Sequence, residues 1–307
     1  MDPRLRSLQL VAWHGTVTAA ARTLHYTPSA VSAQLKSLSA ELGVEVLVRH
    51  GRAVRLTPAG ELLLRHADEL SARWEHIQAE LLQVADRWPG SLRLAGFSTA
   101  ASTLLPRVAT AVSNAHPGTS VRIIEADPEE CFELLLAGTA DLAVVVATTA
   151  LPQLDDPRFE QRPLLSDPLD LLVPLNHRFA GLDSVPLADT AREPWIMDRP
   201  GRPSHQLVLT SCVAAGFTPR QAHEAVEWDT GAALVHAGLG VCLVPRLARL
   251  PRGYDIVRVP LQGDPSPSRQ IRTGIRVGSG AGPLLSTAQA TLTELSLGPS
   301  VAISPGT

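Results

Sequence analysis

The sequence predicts an α+β multidomain protein in which a small helical head is joined by one long helix to an α/β body. Three observations lead to this fold class. Two short apolar-periodic segments flank a polar turn near the start and precede an arginine-rich stretch. A seven-residue apolar repeat then runs for about three heptads, and after it short strand patterns alternate with helical ones.

The head occupies residues 1–58 and begins with two helices. The first is predicted over Pro3–His14, and Gly15 ends it, since glycine is common just past a helix C-terminus. The second is capped by Thr16 or Thr18. The head is therefore built from short helices that pack through small and aliphatic side chains.

A third helix follows the turn. Thr27 is a good N-cap, and Pro28 occupies the first helical position, where its missing N–H costs nothing. Gly43 ends the helix after Leu42. The spacing predicts this buried stripe: Ala30, Val31, Leu35, Leu38 and Leu42.

The opposite face of the third helix and the hairpin-like basic segment after it are typical of a winged helix-turn-helix that places one helix in the DNA major groove. Hydroxyls can bond base edges or phosphates, and cations neutralise phosphate charge. The simpler alternative is that the serines only solvate a surface helix. The candidate DNA-binding residues are Thr27, Pro28, Ser29, Ser32, Ala33, Lys36, Arg49, Arg52 and Arg55.

Charge is distributed unevenly along the chain. Residues 1–60 contain seven cationic and three acidic side chains, a net charge of +4, so the remainder carries −7 because the whole chain carries −3. A basic head on an acidic body indicates that nucleic-acid contact is confined to one end.

Residues 59–89 form the linker helix, which follows the cap Thr57 and stops at Pro89-Gly90. Its apolar residues recur at alternating steps of four and three, the pattern of a helix that pairs along a seam. Packing of this helix on its own domain is the alternative. The candidate dimerisation residues are Leu63, Ala67, Leu70, Trp74, Ile77, Leu81 and Val84.

Residues 90–307 alternate short strands with helices, which indicates α/β units around a mostly parallel sheet. The predicted strands are Leu92–Ala95, Val121–Ile124, Leu142–Val146, Leu169–Val173, Trp195–Met197, Val241–Val244, Ile256–Val259 and Ile271–Val277. The predicted helices are Ser102–Asn114, Pro128–Ala137, Ser204–Ala215, Gly231–Ala237 and Pro283–Leu295.

Two stretches, 151–168 and 261–269, have the composition of crossing segments, so we expect two subdomains. Subdomain I covers about 90–160 and 268–300, and subdomain II covers about 161–267. Ligands of open α/β folds bind at the carboxyl ends of strands, here in a cleft between the subdomains. Helix capping and surface ion pairing are the alternative roles for these polar residues. The candidate ligand-binding residues are Phe97, Ser98, Thr99, Ala100, Thr148, Thr149, Asp198, Arg199, Ser204, Trp228, Asp229, Thr230 and Pro245.

The order of motifs resembles that of the LysR-type transcriptional regulators over nearly the whole chain. In the head the resemblance runs through Leu5, Ala20-Ala21, Leu24, Ser29 to Ser32, Gln34-Leu35, Leu38, Leu42-Gly43, Arg49 and Leu56 to Gly60. In the body it runs through Leu92 to Ala95, Leu104 to Pro106, His116 to Gly118, Leu136 to Gly138, Asp141 to Ala143 and Val235 to Pro245. Pro28, Ala33 and Ser39 depart from glutamine, arginine and glutamate, which are frequent there in the family.

The resemblance implies a winged helix-turn-helix head, a linker helix that dimerises and a two-subdomain α/β effector-binding domain whose cleft the candidate segments line. It implies a sequence-specific regulator that binds an inverted repeat in double-stranded promoter DNA. A small-molecule effector would modulate this binding, the chain would form a homodimer or homotetramer, and RNA polymerase would be a further partner.

Other function classes have weaker support in the sequence. No nucleophile elbow, Walker loop or zinc-ligand spacing is present, so we expect no enzyme, no metal and no cofactor. The alternatives left open are a cytoplasmic solute-binding protein with an N-terminal protein-interaction module, and a catalytic body. We expect no membrane segment, since no apolar run reaches the roughly 18 residues of a span. Without a secretory leader pattern, we expect a cytoplasmic location.

The thiols Cys131, Cys212 and Cys242 are far apart and suit a reducing compartment, with a redox-sensing role as an alternative.

Overall fold

The computed structural model describes residues 2–51, 53–84, 90–263 and 266–297. The chain divides into two units. The first unit comprises Met1–Val145, Thr149–Pro163 and Arg272–Thr293. The second unit comprises Val146–Thr148, Leu164–Ile271 and Glu294–Thr307.

The head consists of three helices and a two-stranded hairpin, the wing. They are α1 (Pro3–His14), α2 (Val17–Thr23), α3 (Pro28–Leu42), β1 (Leu47–His50) and β2 (Ala53–Leu56). The predicted bounds of α1 and α3 are confirmed.

The helix ends of the head follow from single residues. Gly15 and Gly43 adopt the left-handed conformation that ends a helix, with φ of +69° each. The Thr16 hydroxyl caps α2, and the Thr27 hydroxyl caps α3 by accepting from the amide of Ala30 at 3.1 Å.

The buried stripe of α3 differs in part from the prediction. Val31, Leu35 and Leu38 are buried as expected. Ala30 and Leu42 are exposed, so these two predictions were wrong. They lie in the first and last turns, and periodicity along one helix does not show where its packing neighbours end.

The linker helix is α4 (Pro58–Val84), whose N-terminus is capped by the Thr57 hydroxyl through the amide of Gly60 at 3.0 Å. The predicted stop at Pro89 lies outside the described residues. The helix has 27 residues, of which Gly60, Ala67 and Ala79 are buried.

The rest of the first unit, called the effector part because the sequence predicts effector binding there, is a parallel α/β layer. The strands are β3 (Ser91–Gly96), β4 (Ser120–Glu125) and β5 (Leu142–Val146), and β3 pairs in parallel with both of the others. The helices are α5 (Ser98–Thr103), α6 (Leu105–Ala115), α7 (Pro128–Ala137) and, near the end of the chain, α10 (Pro283–Leu297). The single helix predicted over Ser102–Asn114 is thus two helices, because the first begins directly after β3.

The second unit is a mixed sheet with helices. Its elements are β6 (Phe159–Pro174), β7 (Val185–Pro186), the 3₁₀ helix Leu187–Thr190, β8 (Pro194–Met197), α8 (Pro203–Ala214), β9 (Arg220–Glu224), α9 (Trp228–His236), β10 (Cys242–Pro245), β11 (Ile256–Gln262) and β12 (Ser268–Arg276). β10 and β11 both run antiparallel to β6, whereas β8 and β9 are parallel. The expectation of a mostly parallel sheet therefore does not hold in this unit.

Strands β6 and β12 each contribute residues to both units. β6 begins ten residues before the predicted start at Leu169, within the stretch 151–168 that was expected to be a crossing segment. Pro163 and Pro168 lie inside the strand and hid it, since proline is unusual in strand interiors.

The cores follow the same division. One apolar cluster of the first unit continues from the head, including Leu8 and Leu10, into α7, including Phe132 and Leu135. The second unit is built around fully buried Trp195. Among the described residues, none of the helices combines the length and apolarity that a bilayer span requires.

Candidate functional site

The outward face of α3 presents the side chains that the sequence assigned to DNA. Thr27, Pro28, Ser29, Ala33 and Lys36 are exposed. Buried Val31, Leu35 and Leu38 fix the rotation of the helix so that this face remains outward. A row of small and hydroxyl side chains with one cation is therefore held clear of the head.

Two features of this face differ from the predicted set. Ser32 is only half-buried and lies at the margin of the face. The hydroxyls of Thr27 and Ser29 are 2.9 Å apart, so the first turn forms a hydroxyl pair. Ser37 and Ala40 are exposed on the same side and were not predicted, although the steps of four residues from Ala33 to Ser37 and three from Ser37 to Ala40 could have identified them.

The wing carries its arginines on two different faces. In the β1–β2 hairpin, Arg49 pairs with Val54, and Arg55 pairs with Val48. Residues paired across an antiparallel ladder share a face and neighbouring pairs alternate, so Arg49 and Arg55 project to opposite sides. Both are exposed. Arg52 lies outside the described residues.

Polar contacts not predicted from the sequence hold the head together. Ser7 donates to Gln34 at 2.5 Å and ties α1 to α3. Arg4 ties the same helices through Glu41 at 2.6 Å. These contacts orient α3, and they join residues that lie 27 and 37 positions apart, which spacing rules within one helix do not cover.

The predicted seam of α4 divides into inward and outward residues. Ala67 is fully buried in its own chain, and Leu63 packs against the core of the head. Ile77 is half-buried. Leu70, Trp74, Leu81 and Val84 are exposed, with Leu70 at 57% and Leu81 at 61%. The exposed residues form an apolar stripe on the second half of the helix, which we call the outward stripe.

In the first unit, the candidate ligand residues lie where β3 ends. Phe97 is the N-cap of α5, with no side-chain cap, and Ser98 is exposed in the first turn. Thr99 and Ala100 are buried. Thr149 is exposed beyond β5. Because β3 and β5 are parallel, their carboxyl ends lie at one edge of the layer. At that edge the hydroxyl-bearing residues Ser98 and Thr149 are exposed, whereas Thr99 is buried.

In the second unit, Thr148 and Asp198 have contrasting surroundings. The Thr148 hydroxyl is buried and has no hydrogen-bond partner within the described part of the chain. Asp198 accepts from the amide of Arg199 at 2.7 Å, from Arg202 Nε at 3.2 Å and from the Ser204 hydroxyl. Asp198 therefore holds the loop before α8 in shape.

The remaining candidates of the second unit surround helix starts and a strand end. Arg199 is exposed and pairs with Glu224 at 3.1 Å. α9 begins at Trp228, so Trp228, Asp229 and Thr230 are its first turn, of which Asp229 and Thr230 are exposed. The predicted start at Gly231 was three residues late. Pro245 is buried at the end of β10.

The three thiols share an apolar environment. Cys131, Cys212 and Cys242 are buried, and burial raises the pKa of each thiol to about 12. At pH 7 the thiols are therefore protonated, whereas the thiolate is the form that reacts with oxidants. Within the described ranges no three His, Cys, Asp or Glu side chains gather as metal ligands.

Both parts of the chain match known families. Residues 3–61 match the family described as bacterial regulatory helix-turn-helix protein, lysR family, and residues 85–295 match the LysR substrate binding domain. The transcriptional regulator YwbI of Bacillus subtilis is 30% identical over 242 residues, which cover 79% of this chain and 78% of that protein.

Two further proteins are similar over nearly their full length. A hydrogen peroxide-inducible genes activator of Escherichia coli O157:H7 is 28% identical over 277 residues, covering 90% of this chain and 89% of that protein. The crystal structure of HinK, a LysR family transcriptional regulator from Pseudomonas aeruginosa, superimposes with a TM-score of 0.59 at 25% identity, covering 96% of this chain and 98% of that one.

Proposed function

We propose, from the premise that this chain belongs to the LysR family of DNA-binding transcriptional regulators, that two copies of α3 in a dimer read an inverted repeat. The family binds DNA through its head and a small-molecule effector through its larger domain, and it forms oligomers.

The observation that supports the DNA assignment best is the outward face of α3. Ser29, Ala33 and Lys36 are exposed along one side of a helix whose other side is locked in the core. Small side chains let the helix backbone approach base edges closely, and Arg49 and Arg55 flank it as phosphate-binding cations. With Pro28 and Ala33 unable to form side-chain hydrogen bonds, Ser29 and Ser32 supply the polar base contacts.

The outward stripe of α4 supports dimerisation. Leu70, Trp74, Leu81 and Val84 expose apolar surface along one side of a long helix, and such a surface is stabilised when a partner covers it. A second copy of α4 supplies the same repeat in return, as an isologous twofold interface requires. A pair of heads gains affinity because the second half-site is bound at high effective concentration.

For the effector we propose a non-covalently bound small molecule. The related activator named for hydrogen peroxide suggests a second route, oxidation of a thiol. The buried cysteines with raised pKa argue against that route in this chain, because a protonated, enclosed thiol reacts slowly. Within the first unit, the exposed Ser98 hydroxyl offers a hydrogen bond to a polar metabolite instead.

We further propose that the protein acts in the cytoplasm, where it contacts RNA polymerase at the promoters it binds, and that it catalyses no reaction. The family match of both parts supports a regulator over the solute-binding alternative, because the head matches a DNA-binding module.

A thermal-shift screen of metabolites against the full chain tests the effector site. A ligand that binds only the folded state raises the unfolding temperature by mass action. Substitution Ser98→Trp should abolish the shift by blocking the first turn of α5. Ser102→Trp, on the same helix and also exposed, is the matched control and should keep it. Equal responses of both variants would contradict the site.

A further inference from the structure

We propose that Arg276 and the segment 276–283, which follows β12, fix the linker helix on the effector part of the first unit, so that head and effector part turn as one body. Arg276 is in this view a positioning residue for DNA binding. The inference relies on the proposed function only in assigning α3 to DNA.

The first contact of this joint is a buried ion pair. Arg276 Nε donates to Glu75 Oε1 at 2.8 Å, and its Nη2 donates to Glu75 Oε2 at 3.2 Å. Both side chains are only 13% exposed. Paired two-point contacts between a guanidinium and a carboxylate fix direction as well as distance. Glu75 lies in α4 and Arg276 ends β12, so the pair orients the helix on the strand.

Arg276 is itself held rigidly on its other side. It donates to the carbonyl of Leu135 at 3.0 Å, to the carbonyl of Ala140, and to Asp141 Oδ1 at 3.1 Å. These groups lie near the end of α7 and in the loop that precedes β5. The guanidinium therefore joins the linker helix to the effector part, and its Nε, Nη1 and Nη2 all donate to protein acceptors.

The second contact is a glycine that touches the helix backbone. Gly278 has φ +87°, and a Cβ atom placed on it would lie 2.3 Å from the carbonyl oxygen of Ala72 and 3.2 Å from the amide nitrogen of His76. No side chain fits there unless the helix moves away. Further along, Gln83 donates to the carbonyl of Ala281 at 2.8 Å.

The third contact joins the head itself to the effector layer. The Trp13 ring lies edge-on to Phe159 at 6.2 Å, and the Arg158 guanidinium lies 4.8 Å from the centre of the Trp13 ring. Thr23 also approaches Glu133, with 3.4 Å between their oxygens. The head is thus attached at a site separate from α4.

These contacts leave the outward stripe of α4 and the outward face of α3 uncovered. The joint uses Ala72, Glu75 and Gln83 of α4, while the outward stripe lies on other positions of the same helix. The outward face of α3 also remains exposed. A rotation of the effector part would therefore carry α4 with it and reposition the head, and linkage requires the reverse effect of equal size.

The test compares two glycine substitutions in the full-length dimer. Gly278→Ala inserts a Cβ against α4. Gly118→Ala is the matched control, because Gly118 has φ +89° and no atom within 4 Å of the added Cβ. Both variants carry the same backbone strain, and only the first disturbs the joint.

The readout is the distance between spin labels at Thr18→Cys in the head and Asn114→Cys in α6, measured with excess unlabelled chain to suppress signals between protomers. Both positions are exposed, and the native thiols are buried. We expect Gly278→Ala to shift or broaden the distribution and Gly118→Ala to leave it unchanged. Identical distributions in the two variants would overturn the proposal.

A second pair of variants tests the ion pair and the link to DNA. Glu75→Gln removes the charge that Arg276 binds, whereas Glu80→Gln changes an exposed residue of the same helix. We expect Glu75→Gln to lower affinity for a selected inverted repeat by about fivefold through lost preorganisation, with single half-site affinity retained. Equal affinities of both variants for the inverted repeat would contradict the positioning role. Failure of the wild type to bind DNA would refute the proposed function. The spin-label distances in Gly278→Ala and Gly118→Ala would still test whether the segment after β12 fixes the linker helix.

Discussion

At the scale of residues, the two described arginines of the wing act from opposite faces of one hairpin. Arg49 shares its face with Val54, Leu47 and Leu56, which pack towards the core of the head, while Arg55 shares the other face with exposed Val48. Two separated cations can neutralise two separate phosphates, so their contributions should add.

We expect Arg49→Ala and Arg55→Ala each to weaken DNA binding in a salt-dependent way. Loss of one phosphate contact lowers the slope of log affinity against log salt concentration by about 0.9, so the double variant should lose about twice that. Fluorescence anisotropy titrations at several salt concentrations measure the slope. Arg122→Ala, exposed on β4, is the control. A slope that is the same in all variants would show that the wing does not touch phosphate.

The buried thiols make a second prediction. Native protein at pH 7 should react with a maleimide or with hydrogen peroxide at a small fraction of the rate of the unfolded chain, because the pKa of each thiol is raised to about 12 by burial. Mass spectrometry before and after denaturation counts the modified cysteines. Rapid stoichiometric labelling of a native cysteine would reopen the redox alternative.

The contribution of Asp141 to the stability of the fold should depend on pH. Burial alone would raise the pKa of this carboxyl, but hydrogen bonds from Arg93 and the charge of Arg276 outweigh it and lower the pKa. A lowered pKa means that the charged form stabilises the fold above the unfolded pKa of about 3.9, and that this stability is lost as pH falls through the folded value. Asp141→Asn should therefore destabilise at pH 7, with a deficit that shrinks below about pH 4. Urea unfolding of both proteins at pH 7 and below about pH 4 measures the difference in free energy of unfolding. A difference that does not change with pH would contradict the prediction.

At the scale of elements, α4 serves two surfaces at once. The heptad repeat predicted one seam, and the structure divides its residues between the chain's own core, at Ala67, and the outward stripe. Periodicity could not show which of them the chain itself covers. That depends on the head, against whose core Leu63 packs, and on the segment after β12, which contacts the same helix from some 200 residues later in the sequence.

Substitution Leu70→Glu should disrupt the dimer. A carboxylate in an apolar seam loses hydration without a partner, and we expect the dissociation constant to rise at least about tenfold. Leu154→Glu is the matched control, since Leu154 is 58% exposed and Leu70 57%. Analytical ultracentrifugation over a concentration series distinguishes them. A Leu70→Glu protein as dimeric as the control would place the interface elsewhere.

At the scale of the whole molecule, local signals carried the prediction of the fold. Thr27, Gly15 and Gly43 place the helix ends of the head because capping depends on neighbours in sequence. The strand at Phe159 was hidden by its prolines, and the Arg276–Glu75 pair joins residues 201 positions apart. The candidate ligand residues were predicted from their positions after strands. Asp198 instead accepts hydrogen bonds from Arg202 and Ser204 within its own loop, and no local sequence pattern encodes these contacts.

The most direct test of the central claim, that this chain reads DNA as a pair of heads, is selection of bound sequences from a random DNA library by the full-length protein. We expect an enriched inverted repeat whose half-sites are centred about 10 base pairs, or a multiple of that, apart. Enrichment of a single unpaired motif, or of no motif, would contradict it.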